Sequence, residues 1–504
     1  MKRYLYLCHR WLGIGLCLFM ALWFISGVVM LFVGYPKLTP AEHLAHLPTL
    51  SAEDCCIGPG QAVQAGAGNP NAVRLATVAG QPRYILDYPD GTRRAVDARS
   101  GRHVTTVDAD TALASARQFA SDTPTHYQGV IQEDAWTRSR GLDKDRPLHR
   151  VQLNEPQARL LYISGQTGAV VRDASRTERV WNCLGSWLHW VYPLRDSPWW
   201  AQIVIYLSLA ATLMALLGQI VGILRWRFSR PYRNGSRSPY RDLSARWHHI
   251  GGLLFGTLAI AWIFSGLMSM RPWGLFDSTE RLDTSAYRSA IFDMDTDPAP
   301  LSATLARLTD AGLQPVELHW QIVGSKLYRV AYDRAGESRI LPVSEGAQVL
   351  PQLPSITLEK AARAIRPQDV PEVEWLDAYD FHYFSRSEQS MYGAYRKRLP
   401  ILRVRFQDPA ATWLHLDPYS GALIEQLDRR QRAERWLFNL LHSWDWLPLL
   451  ERPWLRKTLI ILFSISGLAI SLTGIMLGWR RLFPRGKRKG AAAACSASST
   501  QRKG

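Results

Sequence analysis

Four stretches without a single Asp, Glu, Lys or Arg constrain this chain most: Trp11 to Pro36, Ser197 to Leu224, Trp247 to Met270, and Thr458 to Trp479. Each supplies the roughly 20 apolar residues that an α-helix needs to cross a bilayer core of about 30 Å. Four membrane helices are therefore expected. Beside one end of each stretch stands a histidine: His9, His189, His248 and His442. Mean hydropathy over the chain is only −0.13, so most of its 504 residues lie outside the lipid.

The charges sort sharply among the pieces. The N-terminus, the link after the second stretch and the C-terminal tail hold eighteen cations and one anion, Asp242. The whole formal net charge of +17 therefore lies on three short flanks. Short Lys/Arg-rich segments stay in the cytoplasm, which puts both termini and the link inside and both long polar segments outside. The expected order is an N-terminus and first helix (1–36), an external domain (37–196), a second helix (197–226) and a basic link (227–246). A third helix (247–270), a second external domain (271–456), a fourth helix (457–479) and a basic tail (480–504) follow. Since topology explains the basic charge, a nucleic-acid partner is not expected despite a pI near 9.8. Lys2 and Arg3 before an apolar run resemble a signal peptide, but the run is too long and no A-x-A site follows it. An uncleaved first helix is the reading.

The six cysteines make no framework. Adjacent Cys55 and Cys56 would face an oxidising compartment, as a vicinal disulfide, a metal-touching pair or an inert pair. Without C-x-x-C-H, covalent haem attachment is not expected.

The chain repeats itself. Trp23-Phe-Ile-Ser26-Gly27 recurs as Trp262-Ile-Phe-Ser265-Gly266, and the same shift carries His9 onto His248 and Gly13 onto Gly252. Gly168-Ala-Val recurs as Gly421-Ala-Leu, and that second shift carries Arg179 onto Arg432, His189 onto His442, and Trp226 onto Trp479. The repeating unit is helix, external domain, helix, an internal duplication of a kind common in membrane proteins. The external domains read as α+β. Strands with Asp-Gly or Ser-Gly turns are expected in 82–107, 158–172, 326–349 and 402–425, and amphipathic helices near 109–121 and 357–366.

Neutral imidazole is a common axial ligand of haem iron, and cofactor sites are built between facing helices of bundles. His9 with His248 at one face, and His189 with His442 at the other, would clamp two b-type haems, with Gly13, Gly15, Gly251 and Gly252 leaving room for a flat macrocycle. A lone interfacial histidine ordinarily bonds a headgroup or the backbone; recurrence at matched positions sets these four apart. His249 rivals His248, but Arg10 takes its place in the first copy. Interfacial belts account for most of the tryptophans before the second and fourth helices. His43-x-x-His46 is a second candidate metal pair, without a copy in the second half. The run Trp375 to Phe384, with Asp377, Asp380 and His382, is a candidate substrate surface, also without an expected counterpart. No hydrolase, zincin, Walker or dinucleotide motif stands in a fitting context, which leaves the catalytic residues unassigned.

These features resemble the PepSY-associated transmembrane family. The matching residues are His9-Arg-Trp-Leu-Gly-Ile-Gly with Ser26-Gly27, Trp247-His248-His249 with Ser265-Gly266, Leu188-His189 and Leu441-His442. The turns at Ile163-Ser-Gly-Gln-Thr-Gly-Ala-Val and Leu416-Asp-Pro-Tyr-Ser-Gly-Ala-Leu look like the ends of PepSY repeats. The resemblance implies a four-helix membrane bundle with two periplasmic α+β PepSY-like domains in a bacterial inner membrane. It also implies haem-dependent reduction of ferric siderophore, an oxidoreductase activity serving iron uptake. Some relatives carry a fused flavin reductase domain; none is visible in this chain, so a separate donor, a cytoplasmic reductase or a quinol, is expected. The alternative is a PepSY module that binds or regulates a periplasmic partner such as a peptidase.

Overall fold

The computed structural model describes residues 2–51, 56–277, 281–288, 297, 300–344, 346–391, 393 and 395–484. Four helices, Lys2–Met30, Trp200–Arg225, Leu243–Ser269 and Pro453–Leu482, are long and apolar enough to cross a membrane. They take up most of the four charge-free stretches, the first ending at Met30 rather than at the expected residue 36, and bond their own backbone polar groups, as lipid demands. The chain divides into two compact units.

The first unit comprises Met1–Phe24, Tyr206–Phe264 and Ile461–Gly504. Its helices approach closely because glycines stand at the contacts. A Cβ on Gly218 would lie 2.5 Å from the His9 ring, and one on Gly474 would lie 2.6 Å from Cys17 Sγ. One turn further on, Gly222 faces Leu253 and Gly478 faces Ile14 at 3.0 and 3.2 Å. Small residues four apart are how membrane helices gain close packing without a hydrophobic driving force.

The second unit comprises Ile25–Ile205 and Ser265–Ile460. Strands β1 (Ala72–Val78), β2 (Gln81–Asp87) and β3 (Arg93–Asp97) form a meander in the first long segment. They are followed by the helix Ala109–Phe119 and then β4 (Thr125–Ile131), β5 (Leu148–Leu153), β6 (Leu160–Ser164) and β7 (Val170–Ala174). The second long segment repeats the plan with β8 (Glu317–Val323), β9 (Lys326–Tyr332) and β10 (Ser338–Pro342). The helix Ser355–Arg363 and β11 (Glu372–Leu376), β12 (Ile401–Arg405), β13 (Trp413–Leu416) and β14 (Leu423–Leu427) complete it. β4–β7 and β11–β14 form separate four-stranded antiparallel sheets.

The two long segments are not independent of one another. β1 pairs antiparallel with β8, joining both meanders into one six-stranded sheet of order β10-β9-β8-β1-β2-β3. The order is palindromic about that seam, where Leu75 stands opposite Leu318. One core beneath the sheet draws on both copies, with Leu75, Tyr84 and Leu86 packed among Leu308, Leu318 and Trp320. At the β6–β7 and β13–β14 turns, Gly168 and Gly421 adopt φ of +78° and +72°, a left-handed conformation that glycine reaches without strain. Cys56 is disulfide-bonded; Cys55 and Cys495 lie outside the described residues.

Two facing histidine pairs as the candidate cofactor site

In the first unit, His9 and His248 face each other with ring centroids 6.3 Å apart and planes at 38°. His9 Nδ1 bonds Met214 O at 2.9 Å. His248 Nδ1 bonds Ile470 O at 3.1 Å and also lies 3.1 Å from Thr473 Oγ1. Each bond ties a helix of one half of the duplication to its own partner: first to second, third to fourth. The carbonyls and the close-packed glycines recur together, Met214, Gly218 and Gly222 matching Ile470, Gly474 and Gly478. This corrects the sequence alignment of the last helix, which placed Trp226 on Trp479. The structure adds three residues to that shift, and the recurring Met214 and Ile470 carbonyls were missed for that reason. The paired G-x-x-x-G spacing was the signal that would have found it.

His189 and His442 face each other in the second unit, centroids 5.9 Å apart and planes at 72°. Each follows a helix that starts with a reciprocal cap: Ser175 with Glu178 for Arg176–Leu184, and Asp428 with Gln431 for Arg429–Glu434. Such boxes satisfy two otherwise orphaned backbone donors and fix where a helix begins. Regularity then breaks in both copies, at Gly185 before the short turn Ser186–His189, and as a π-helical stretch Arg435–Leu440 before Leu441–Ser443. π segments cluster at functional positions because they re-aim the side chains that follow. The Nδ1 atoms here meet side chains, Ser26 Oγ at 3.0 Å from His189 and Ser265 Oγ at 3.1 Å from His442. Both serines are fully buried.

An imidazole whose Nδ1 is engaged presents Nε2 to a metal, and the second bond fixes the ring's orientation. Metal–imidazole bonds are about 2.0 Å, so two rings on opposite sides of one iron stand about 6 Å apart, centroid to centroid. Both pairs meet that spacing. Of the four glycines expected to leave room, a Cβ on Gly15 or Gly252 would meet nothing within 4 Å, and one on Gly13 would lie 3.8 Å from Cys17 Sγ. One on Gly251 would press on Ile470 at 3.3 Å, so Gly251 serves helix packing instead. One on Gly27 or Gly266 would only touch the His189 or His442 ring at 3.6 and 3.5 Å. The residues present fit a flat group held between two imidazoles.

The remaining candidates have other partners. His249 is buried, its Nδ1 on Ser238 Oγ at 2.8 Å and its Nε2 on Gly222 O at 2.9 Å, so it fastens the basic link. His43 and His46 diverge. His46 bonds Glu42 O and stacks on Phe119 at 3.7 Å. His43 Nε2 lies 3.3 Å from Glu317, whose other oxygen meets His319 and Arg74. Burial opposes charge on Glu317, but the His319 and His43 imidazoles outweigh it and hold the carboxyl well below the ordinary range. Among the described residues, no three His, Cys, Asp or Glu side chains cluster as a metal site.

Asp377 is exposed. Asp380 accepts from the backbone of His382 and Tyr383 and pairs with buried Arg403 at 2.6 Å. Burial holds His382 down to about 4, so it is neutral at pH 7. This loop does have a counterpart, contrary to the sequence expectation. Asp134 accepts from the backbone of Trp136 and stands 3.6 Å from Arg150, the residue matching Arg403. Different loop lengths before β5 and β12 hid the match.

Compared with known families, the chain matches one described as PepSY-associated TM region over residues 6–481. A search of curated proteins finds no match. With the four apolar helices, the family match makes this a membrane protein.

Proposed function

Because the chain belongs to the PepSY-associated TM family, we propose that it is a haem-bearing reductase of a bacterial inner membrane, acting on ferric siderophore at the periplasmic face. The observation that carries the reading is the doubled histidine pair, spaced in both copies as one iron requires. His9 and His248 would hold one haem b toward the cytoplasm, and His189 and His442 another toward the periplasm, the sides following from the basic flanks. Bound haem would supply one-electron transfer at each pair. The chain's own contribution is orientation. The Met214 and Ile470 carbonyls and the Ser26 and Ser265 hydroxyls fix each ring through Nδ1 and would leave Nε2 to bind iron. A separate donor, quinol or a cytoplasmic reductase, would supply the electron. Reduction of Fe(III) to Fe(II) weakens binding by hard oxygen donors, which releases iron from hydroxamate or catecholate. The PepSY-like segments would form the periplasmic face.

Anaerobic mixing of dithionite-reduced protein with a ferric hydroxamate tests this. The visible spectrum is expected to return to the oxidised form as an Fe(II) chelator takes up one iron per electron. A coloured protein that stays reduced would contradict the siderophore assignment. A colourless one would favour the regulatory module.

A further inference from the structure

The two histidine pairs differ in what their Nδ1 atoms meet; with Nε2 given to an iron, each Nδ1 would carry the proton and donate it. His9 and His248 donate to backbone carbonyls, at 2.9 and 3.1 Å. His189 and His442 meet serine hydroxyls, at 3.0 and 3.1 Å. The lengths are alike, so the contrast lies in the acceptor, and it is written twice, once in each copy of the duplication. A peptide carbonyl is the stronger acceptor, and His248 has Thr473 Oγ1 beside it as well. The more fully an acceptor draws on Nδ1–H, the more basic the ring becomes at Nε2. A more basic axial ligand favours ferric over ferrous iron, and hydrogen bonding around the ligands is one of the protein's levers on potential.

We infer that Ser26 and Ser265 are positioning residues that lower the potential of the His189/His442 couple less than the Met214 and Ile470 carbonyls lower that of His9/His248, which leaves the His189/His442 couple the higher of the two. The inference rests on the haem reading above and adds a direction to it: electrons entering at His9/His248 run downhill toward His189/His442. Serine suits this role because it fixes the ring while withdrawing little from Nδ1. A backbone carbonyl at the same distance would fix the ring equally and lower the potential.

Spectroelectrochemical titration of the purified protein tests this without reference to activity. Two one-electron waves are expected, and His442→Ala should abolish the higher. The double variant Ser26→Ala/Ser265→Ala should raise that wave alone. At a fixed ambient potential its reduced-to-oxidised ratio should rise, by less than the tenfold that ~59 mV gives for one electron, since serine withdraws little. Threonine at both positions keeps the hydroxyl and should restore the wild-type ratio. Loss of the lower wave in His442→Ala would overturn the inference even if the alanine variant failed to fold. So would a haem-replete alanine variant whose higher wave stays in place. Wild-type protein without haem absorbance would instead overturn the reading beneath it.

Discussion

Gly218 lies so close to His9 that a single methyl group would collide with its ring at 2.5 Å. Alanine is the better helix former by about 1 kcal/mol, so Gly218→Ala should leave the second long helix intact. It should still displace His9 and roughly halve the reduced haem absorbance per chain, whereas full haem content would show that the approach is not needed. Asp173 offers a test outside the membrane. It is buried, and burial, aided by the Glu42 and Glu178 carboxylates, pushes its carboxyl up to about 7, with Arg159 at 3.7 Å opposing only in part. A carboxyl raised in the folded state contributes stability that is fully present below its unfolded value near 3.9. That stability is lost as pH rises through about 7. Asp173→Asn should therefore raise the melting temperature at pH 8, recovering a few kcal/mol, and change little at pH 4. Equal gains at both would refute the assignment.

At the scale of elements, the third long helix carries adjacent histidines with opposite duties. His248 faces His9, while His249 gives both nitrogens to the link and the second helix. His249→Ala should retain haem but expose Arg227 through Arg241 to faster tryptic cleavage; haem loss without faster cleavage would reverse the two roles. Adjacent identical residues gave the sequence no internal means of choosing between them beyond Arg10 in the first copy. The four membrane helices were legible because charge-free runs of this length have few other folds, and the histidine pairs because the duplication placed one copy beside the other. The β1–β8 seam was not legible. Strand pairing between segments far apart in sequence leaves no local pattern, and β1 and β8 carry the same alternation as any half-buried strand. The Asp134 counterpart of Asp380 stayed hidden for a related reason, since unequal loops defeat a comparison at constant shift.

For the whole molecule, the charge sorting makes a topological claim. Reporter fusions at positions 120 and 350 should report the periplasm, and fusions at 235 and 500 the cytoplasm. A periplasmic signal at 235 would invert the assignment of the two pairs and the direction of electron flow. The shared six-stranded sheet carries a constraint of the same scale. Both long segments must lie on one side of the membrane for β1 to meet β8, so opposite signals at 120 and 350 are incompatible with the fold. The central claim is that each histidine pair holds one haem, and haem per chain, measured as the pyridine haemochromogen on purified protein, tests it most directly. The account predicts two in the wild type, one in each of His9→Ala, His248→Ala, His189→Ala and His442→Ala, and none when His9→Ala and His442→Ala are combined. Wild-type haem content in all four single variants would contradict it.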